Sequence, residues 1–151
     1  MAVTAGAHGK RTVLELGGSD PYIVLADADV ERAGAAAADA RLVNCGQSCI
    51  SGKRFIVDRR VADAFTEVMS ARLSAAVVGD PRDDATTVGP MARADLRDEL
   101  EAQVRRSVDA GARVVVPGGR RDGPGFFYAP TLLSGVTREH AVGDEETFGP
   151  A

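Results

Sequence analysis

A chain of 151 residues with 44% apolar content is long enough to bury a core as one domain and is not composed like a disordered segment. Its net charge of −4 gives no electrostatic footprint for nucleic acid or for an anionic membrane. Two cysteines are too few for a disulfide-stapled secreted scaffold, and no apolar stretch is long enough to span a bilayer.

Residues 1–11 lack the charged-then-apolar order of a signal peptide, so the cytoplasm is the expected compartment. Only Lys10 and Lys53 among the 18 basic residues are lysines, which reads as codon bias because the arginines are scattered among acids. Residues 12–16 form a short β-prone run, and residues 22–25 form another after Gly17-Gly18-Ser19-Asp20-Pro21. Asp27 is placed to cap a helix with Asp29 and Glu31 in its first turn, and the alanine-rich stretch 28–43 predicts that helix despite Gly34. It ends at a loop around Gly46.

Residues 55–57 predict a third strand, with Asp58 as cap of a second helix. The apolar face of that helix reads Val61, Ala64, Phe65, Val68, Met69, Leu73, Ala76 and Val77. A loop over 79–89 separates it from a third helix, where Leu96, Leu100, Val104 and Val108 recur every fourth residue before Gly111 stops it. Residues 113–116 are a strand candidate, followed by a glycine-rich loop over 117–125. Strands alternating with helices predict an α/β fold with a largely parallel sheet.

Chemistry concentrates in three runs. Asn44-Cys45-Gly46-Gln47-Ser48-Cys49-Ile50 sets a cysteine among residues that do not belong in a core. A lone free cysteine is most often a small buried hydrophobe, but Gly46, Gln47 and Ser48 favour a reactive thiol at Cys49. Cys45 reads as a packed thiol at a helix end; a Cys45–Cys49 redox pair is the lesser alternative. Upstream, Leu14-Glu15-Leu16-Gly17-Gly18 delivers one carboxylate from an apolar run. An exposed strand-edge glutamate is the plain reading, yet the two glycines favour a backbone shaped around a ligand and a general base at Glu15. The third run is Asp144-Glu145-Glu146-Thr147-Phe148-Gly149-Pro150. Acidic runs are usually solvated faces, whereas this one could offer a carboxylate to ribose hydroxyls and an aromatic face to a flat ring. Gly118-Gly119 and Gly123 match no phosphate loop, no metal-ligand spacing is present, and His8 and His140 are expected at the surface.

In this order and spacing, Glu15-Leu16-Gly17-Gly18, Gly46-Gln47-Ser48-Cys49 and Glu146-Thr147-Phe148-Gly149-Pro150 resemble the signature motifs of the aldehyde dehydrogenase superfamily. Residues 14–21 and 46–57 are most similar to its succinate-semialdehyde dehydrogenase branch. The resemblance implies a three-layer α/β catalytic domain, present in part over 1–151, with residues 1–16 leading from the cofactor-domain side into the glutamate motif. It implies oxidation of a small aldehyde by NAD or NADP, with Cys49 as nucleophile and Glu15 as the base that activates water. It also implies that Glu146 holds the nicotinamide ribose, Phe148 packs near the ring, and the Leu16 carbonyl accepts from the carboxamide. Gln47 and Ser48 would shape the aldehyde pocket. No metal, nucleic acid or membrane is implied, and full-length members form homo-oligomers.

Members of that family are much longer than this chain. Their dinucleotide-binding part, mostly upstream, carries an asparagine that helps bind the oxyanion. The only asparagine here, Asn44, stands inside the cysteine motif, which leaves the Cys49 backbone N–H as donor. Losing one such donor costs about 10²–10³ in rate, so the isolated chain is expected to be impaired or inactive as a dehydrogenase. A non-catalytic fragment that binds or assembles, or a gene remnant, is the competing expectation; cofactor-free ester or thioester hydrolysis by Cys49 and Glu15 is a third.

Overall fold

The computed structural model describes residues 1–14 and 17–151, so the predicted base Glu15 and the predicted carboxamide acceptor Leu16 lie outside the described residues. A short helix α1 (Ala2–Ala7) stands at the N-terminus. Strand β1 (Pro21–Val24), helix α2 (Val30–Leu42) and strand β2 (Arg54–Val57) then form a parallel crossover unit, in register from Pro21 opposite Arg54 to Val24 opposite Val57. The cysteine motif is the return leg of that crossover, between the end of α2 and the start of β2. Helices α3 (Ala62–Ser74) and α4 (Ala94–Asp109) follow. The C-terminal third supplies β3 (Arg113–Val116), β4 (Gly119–Arg120), β5 (Tyr128–Ala129), β6 (Leu132–Ser134) and α5 (Ala141–Asp144).

The α/β class and the parallel pair agree with the sequence reading. Two antiparallel pairs, β3 with β6 and β4 with β5, lie outside it. Alternation along β1 and β2 turns Tyr22, Val24, Phe55 and Val57 toward the helices, where Ala37, Ala38, Phe65, Met69 and Leu73 complete the core. The register partners Ile23 and Ile56 face the other way and remain 62% and 55% exposed. A second cluster of Met91, Leu100 and Tyr128 packs under α4.

Several local expectations are corrected. Residues 12–14 carry no strand, since β propensity alone does not make one without a ladder partner among the described residues, and 15–16 of that expected run lie outside them. Asp29, not Asp27, caps α2, accepting from the Arg32 N–H at 3.1 Å. Asp58 forms a turn with the Arg60 N–H instead of capping α3, whose cap position is Val61. Helix α3 stops before Val77, whose backbone pairs with Thr87 and Val88. The inward face of α4 is rotated: Val108 is 37% exposed, while Arg97, Gln103 and Ser107 are buried. His140 is also buried, its Nδ1 accepting from the Thr137 N–H at 2.9 Å.

Candidate active site

The turn that delivers Cys49 is left-handed over consecutive residues. Asn44 has φ 50°, Cys45 φ 57° and Gly46 φ 72°. Each non-glycine residue in that region costs about 1–2 kcal/mol, so the surroundings must hold the turn in place. Local bonds begin that work: Asn44 Nδ2 donates to the Gln47 carbonyl at 3.0 Å, and Gln47 Oε1 accepts from the Ala92 N–H at 2.9 Å. The Cys45 thiol donates to the Gly89 carbonyl at 3.3 Å, and burial pushes its pKa up, which keeps it a protonated donor. Cys45 is therefore the packed thiol that its position at a helix end predicts. Cys49, by contrast, is exposed.

Two buried cations complete the restraint. Arg41, on the last turn of α2, is 1% exposed and donates to the carbonyls of Gly52, Gly46 and Gly149. It thereby ties both sides of the cysteine loop to the Phe-Gly-Pro segment. Gly46 makes the approach possible, because a Cβ there would overlap the Gly149 carbonyl and lie 2.7 Å from an Arg41 nitrogen. Lys53, with its side chain fully buried, donates to the Gly18 carbonyl at 2.6 Å, to the Cys49 carbonyl at 3.2 Å, and to Glu146 Oε1. An ammonium has three donors and no acceptor, so these partners use all of them.

The three acids of the last motif have separate fates. Asp144 is exposed at the end of α5. Glu145 is bound by the Arg106 guanidinium through both oxygens, at 3.0 and 2.8 Å, and accepts from Gln103 at 3.0 Å. Gln103 also donates to the Glu146 carbonyl at 3.1 Å. Glu146 is left to turn toward Lys53 and the Gly17–Gly18 turn. Partial burial pushes its pKa up, but the Lys53 and Gly18 hydrogen bonds and the charges of Lys53 and Arg41 outweigh that and hold it below 4.5. Gly18, the cysteine motif and the acidic motif thus meet at one ammonium.

Of the residues singled out from sequence, Cys49, Ser48, Gln47, Glu146 and Phe148 belong to segments joined in this way. The Gln47 amide is engaged by Ala92 and Asn44, so its side chain shapes the loop. Lys53 and Arg41 were missed. The scarcity of lysine was the available signal for Lys53, one of two lysines among 18 basic residues. A groove of about 510 Å³ between β2, α3 and the segment after β6 reaches Arg41 and Lys53 from behind; Cys49 does not line it.

The sequence profile of the aldehyde dehydrogenase family matches residues 1–151. The chain belongs to the aldehyde dehydrogenase family. Within it, the chain is 51% identical over 150 residues to succinate semialdehyde dehydrogenase (NAD(P)+) Sad of Escherichia coli strain K12, covering 99% of this chain and 32% of that protein. It is 49% identical over 150 residues to succinate-semialdehyde dehydrogenase (NADP(+)) of Mycolicibacterium paratuberculosis, again over 99% and 32% of the two chains. The solved succinate-semialdehyde dehydrogenase from Burkholderia pseudomallei superposes with a TM-score of 0.92 at 35% identity, covering 99% of this chain and 31% of that one. The chain therefore spans about a third of the length of these aldehyde dehydrogenase relatives. No helix among the described residues is long and apolar enough to cross a membrane.

Proposed function

We propose that this chain carries the nucleophile, the general base and the ribose carboxylate of an NAD(P)-dependent aldehyde oxidation, with succinic semialdehyde or a similar small aldehyde as substrate. The observation that supports it is the convergence of Gly18, Cys49 and Glu146 on the Lys53 ammonium, which draws together three motifs spread along the chain from Gly18 to Glu146. The seat at Glu146 fits a ribose diol. Its side chain is 28% exposed, and its Oε2 rests against Gly17, where a Cβ would overlap it. Phe148 would pack near the nicotinamide, and the Leu16 carbonyl would accept from the carboxamide.

In this reading the Cys49 thiolate attacks the aldehyde carbon, forming a C–S bond and moving the carbonyl electron pair onto oxygen. The Cys49 N–H stabilises that oxyanion. When bound, the dinucleotide supplies the acceptor for the hydride leaving that carbon, which converts the adduct to a thioester. Glu15 takes a proton from water as the water adds to the thioester, and collapse of the adduct expels the Cys49 thiolate and releases the acid. Gln47 and Ser48 border the aldehyde, Gln47 by fixing the loop. The active form is a homo-oligomer, and the 151-residue polypeptide alone has little or no dehydrogenase activity.

The test is a chimera in which residues 1–151 replace the matching third of the Escherichia coli relative. It is expected to reduce NAD(P)+ with succinic semialdehyde, and Cys49→Ala is expected to abolish turnover without loss of fold. A folded chimera without activity, or activity that survives Cys49→Ala, overturns the reading. The exposed pair Ile23 and Ile56 favours the second reading, an assembly piece whose apolar sheet face seeks a cover. Sedimentation of the isolated chain as a monodisperse monomer counts against it.

A further inference from the structure

Lys53 has no role in the chemistry above, yet it is the most fully committed polar group near Cys49. Burying an ammonium is costly unless every donor is matched and an opposite charge is close. Here Gly18 and Cys49 offer carbonyls and Glu146 offers the charge. Each acceptor belongs to a different motif, and among the described residues Lys53 is the side chain that bonds all three, whereas Arg41 joins the cysteine loop to Gly149 and leaves the Gly17–Gly18 segment out. The cysteine loop is a strained left-handed turn, the Gly17–Gly18 segment lies outside any helix or strand, and Glu146 follows the short helix α5. A single ammonium is therefore the shared reference point for their relative placement.

We propose that Lys53 is a positioning residue of this site, fixing the Glu146 carboxylate against the Gly17–Gly18 turn while it holds the peptide that presents Cys49. This rests on the functional reading of Cys49 and Glu146 given above. Lys53 touches neither the reacting atoms nor the proposed ribose directly; it acts through the groups it aligns. It also balances the charge of Glu146, with Arg41 the other cation felt by that carboxylate.

The experiment is hydrogen exchange of the full 151-residue chain, read residue by residue. Exchange at Gly18 and at Cys49 is expected to rise together in Lys53→Met, while α4 keeps its protection. A general loss of structure would instead raise exchange everywhere. Unchanged exchange at Gly18 and Cys49 in a folded Lys53→Met overturns the proposal. If Lys53→Met does not fold, Glu146→Gln decides: it removes one of the three acceptors, and unchanged exchange at Gly18 there overturns the proposal as well. The functional reading is judged separately, by the KM for NADP+ of the Glu146→Gln chimera. A rise there with no change of exchange rejects the positioning role alone; a change of exchange with no rise supports positioning and rejects the ribose role.

Discussion

Arg41 and Lys53 flank the cysteine loop, one just before it and one just after, and both are buried cations. They differ in what they hold. Arg41 donates only to main-chain carbonyls, those of Gly46, Gly52 and Gly149. Burial pushes its pKa down to about 10, the charge of Glu146 opposing, which still leaves it protonated at neutral pH. Lys53 adds a carboxylate to its carbonyls, and that carboxylate is partly open to solvent. The difference separates two roles within one loop: the Arg41 side fixes the chain path, and the Lys53 side fixes a partly exposed carboxylate, the one proposed above to meet the ribose.

The largest expected effect therefore belongs to Arg41→Met. It strands the buried Gly46 carbonyl and the half-buried Gly52 carbonyl, at about 1–3 kcal/mol for each unsatisfied group, while Gly149 keeps only the Ala151 N–H. A loss of at least about 3 kcal/mol in urea unfolding is expected, clearly more than for Lys53→Met, whose orphaned carboxylate can be rehydrated. Equal losses would erase the distinction. A gentler contrast comes from the glycines on each side. Gly46→Ala pushes a methyl into the Gly149 carbonyl and Arg41 at φ 72°, with backbone on the receiving end. Gly17→Ala, at φ 88°, meets only the end of the Glu146 side chain. Gly46→Ala is expected to cost about 2–4 kcal/mol of stability and Gly17→Ala about 1–2, from backbone strain and overpacking together. Gly17→Ala should instead raise the KM for NADP+ in the chimera by displacing Glu146. A KM effect confined to Gly46→Ala would reverse the assignment.

Much of this was legible in the sequence because it is local. Helices α2, α3 and α4 carry their own periodicity or alanine content, and Phe65, Met69, Leu73, Leu100 and Val104 are buried as that spacing requires. The motif residues could be named from their neighbours. What escaped was decided by distant partners. Residues 144–146 taken alone do not tell which acid faces Lys53; the resemblance names Glu146, and Gln103 and Arg106 supply the physical reason from α4 by taking Glu145. The same helix shows why its inward face includes Gln103 and Ser107: they hold the backbone of Glu146 and Val142. Residues 12–14 have the composition of a strand and no partner to pair with, and β4 and β5 are too short for any period to show.

The smallest expected effect sharpens the comparison through pH. Glu146 is held below its ordinary value of 4.5 in the folded chain, so its contribution to stability is fully present above that pH. It is lost as the pH falls through the folded-state value, because the folded carboxylate must then take up a proton it resists. Glu146→Gln has no such proton to take up. The stability gap between the parent and Glu146→Gln, from urea unfolding, should be widest near neutrality and should close as the pH drops below about 4.5. In a Lys53→Met background the gap should be smaller at every pH, since the cation that depresses the carboxyl is gone. An Arg41→Met background retains Lys53 and the Gly18 bond, so most of the pH dependence should survive there. A gap that does not change with pH would mean that Glu146 is no better placed in the folded chain than in water, and the Lys53 side would then be as purely architectural as the Arg41 side.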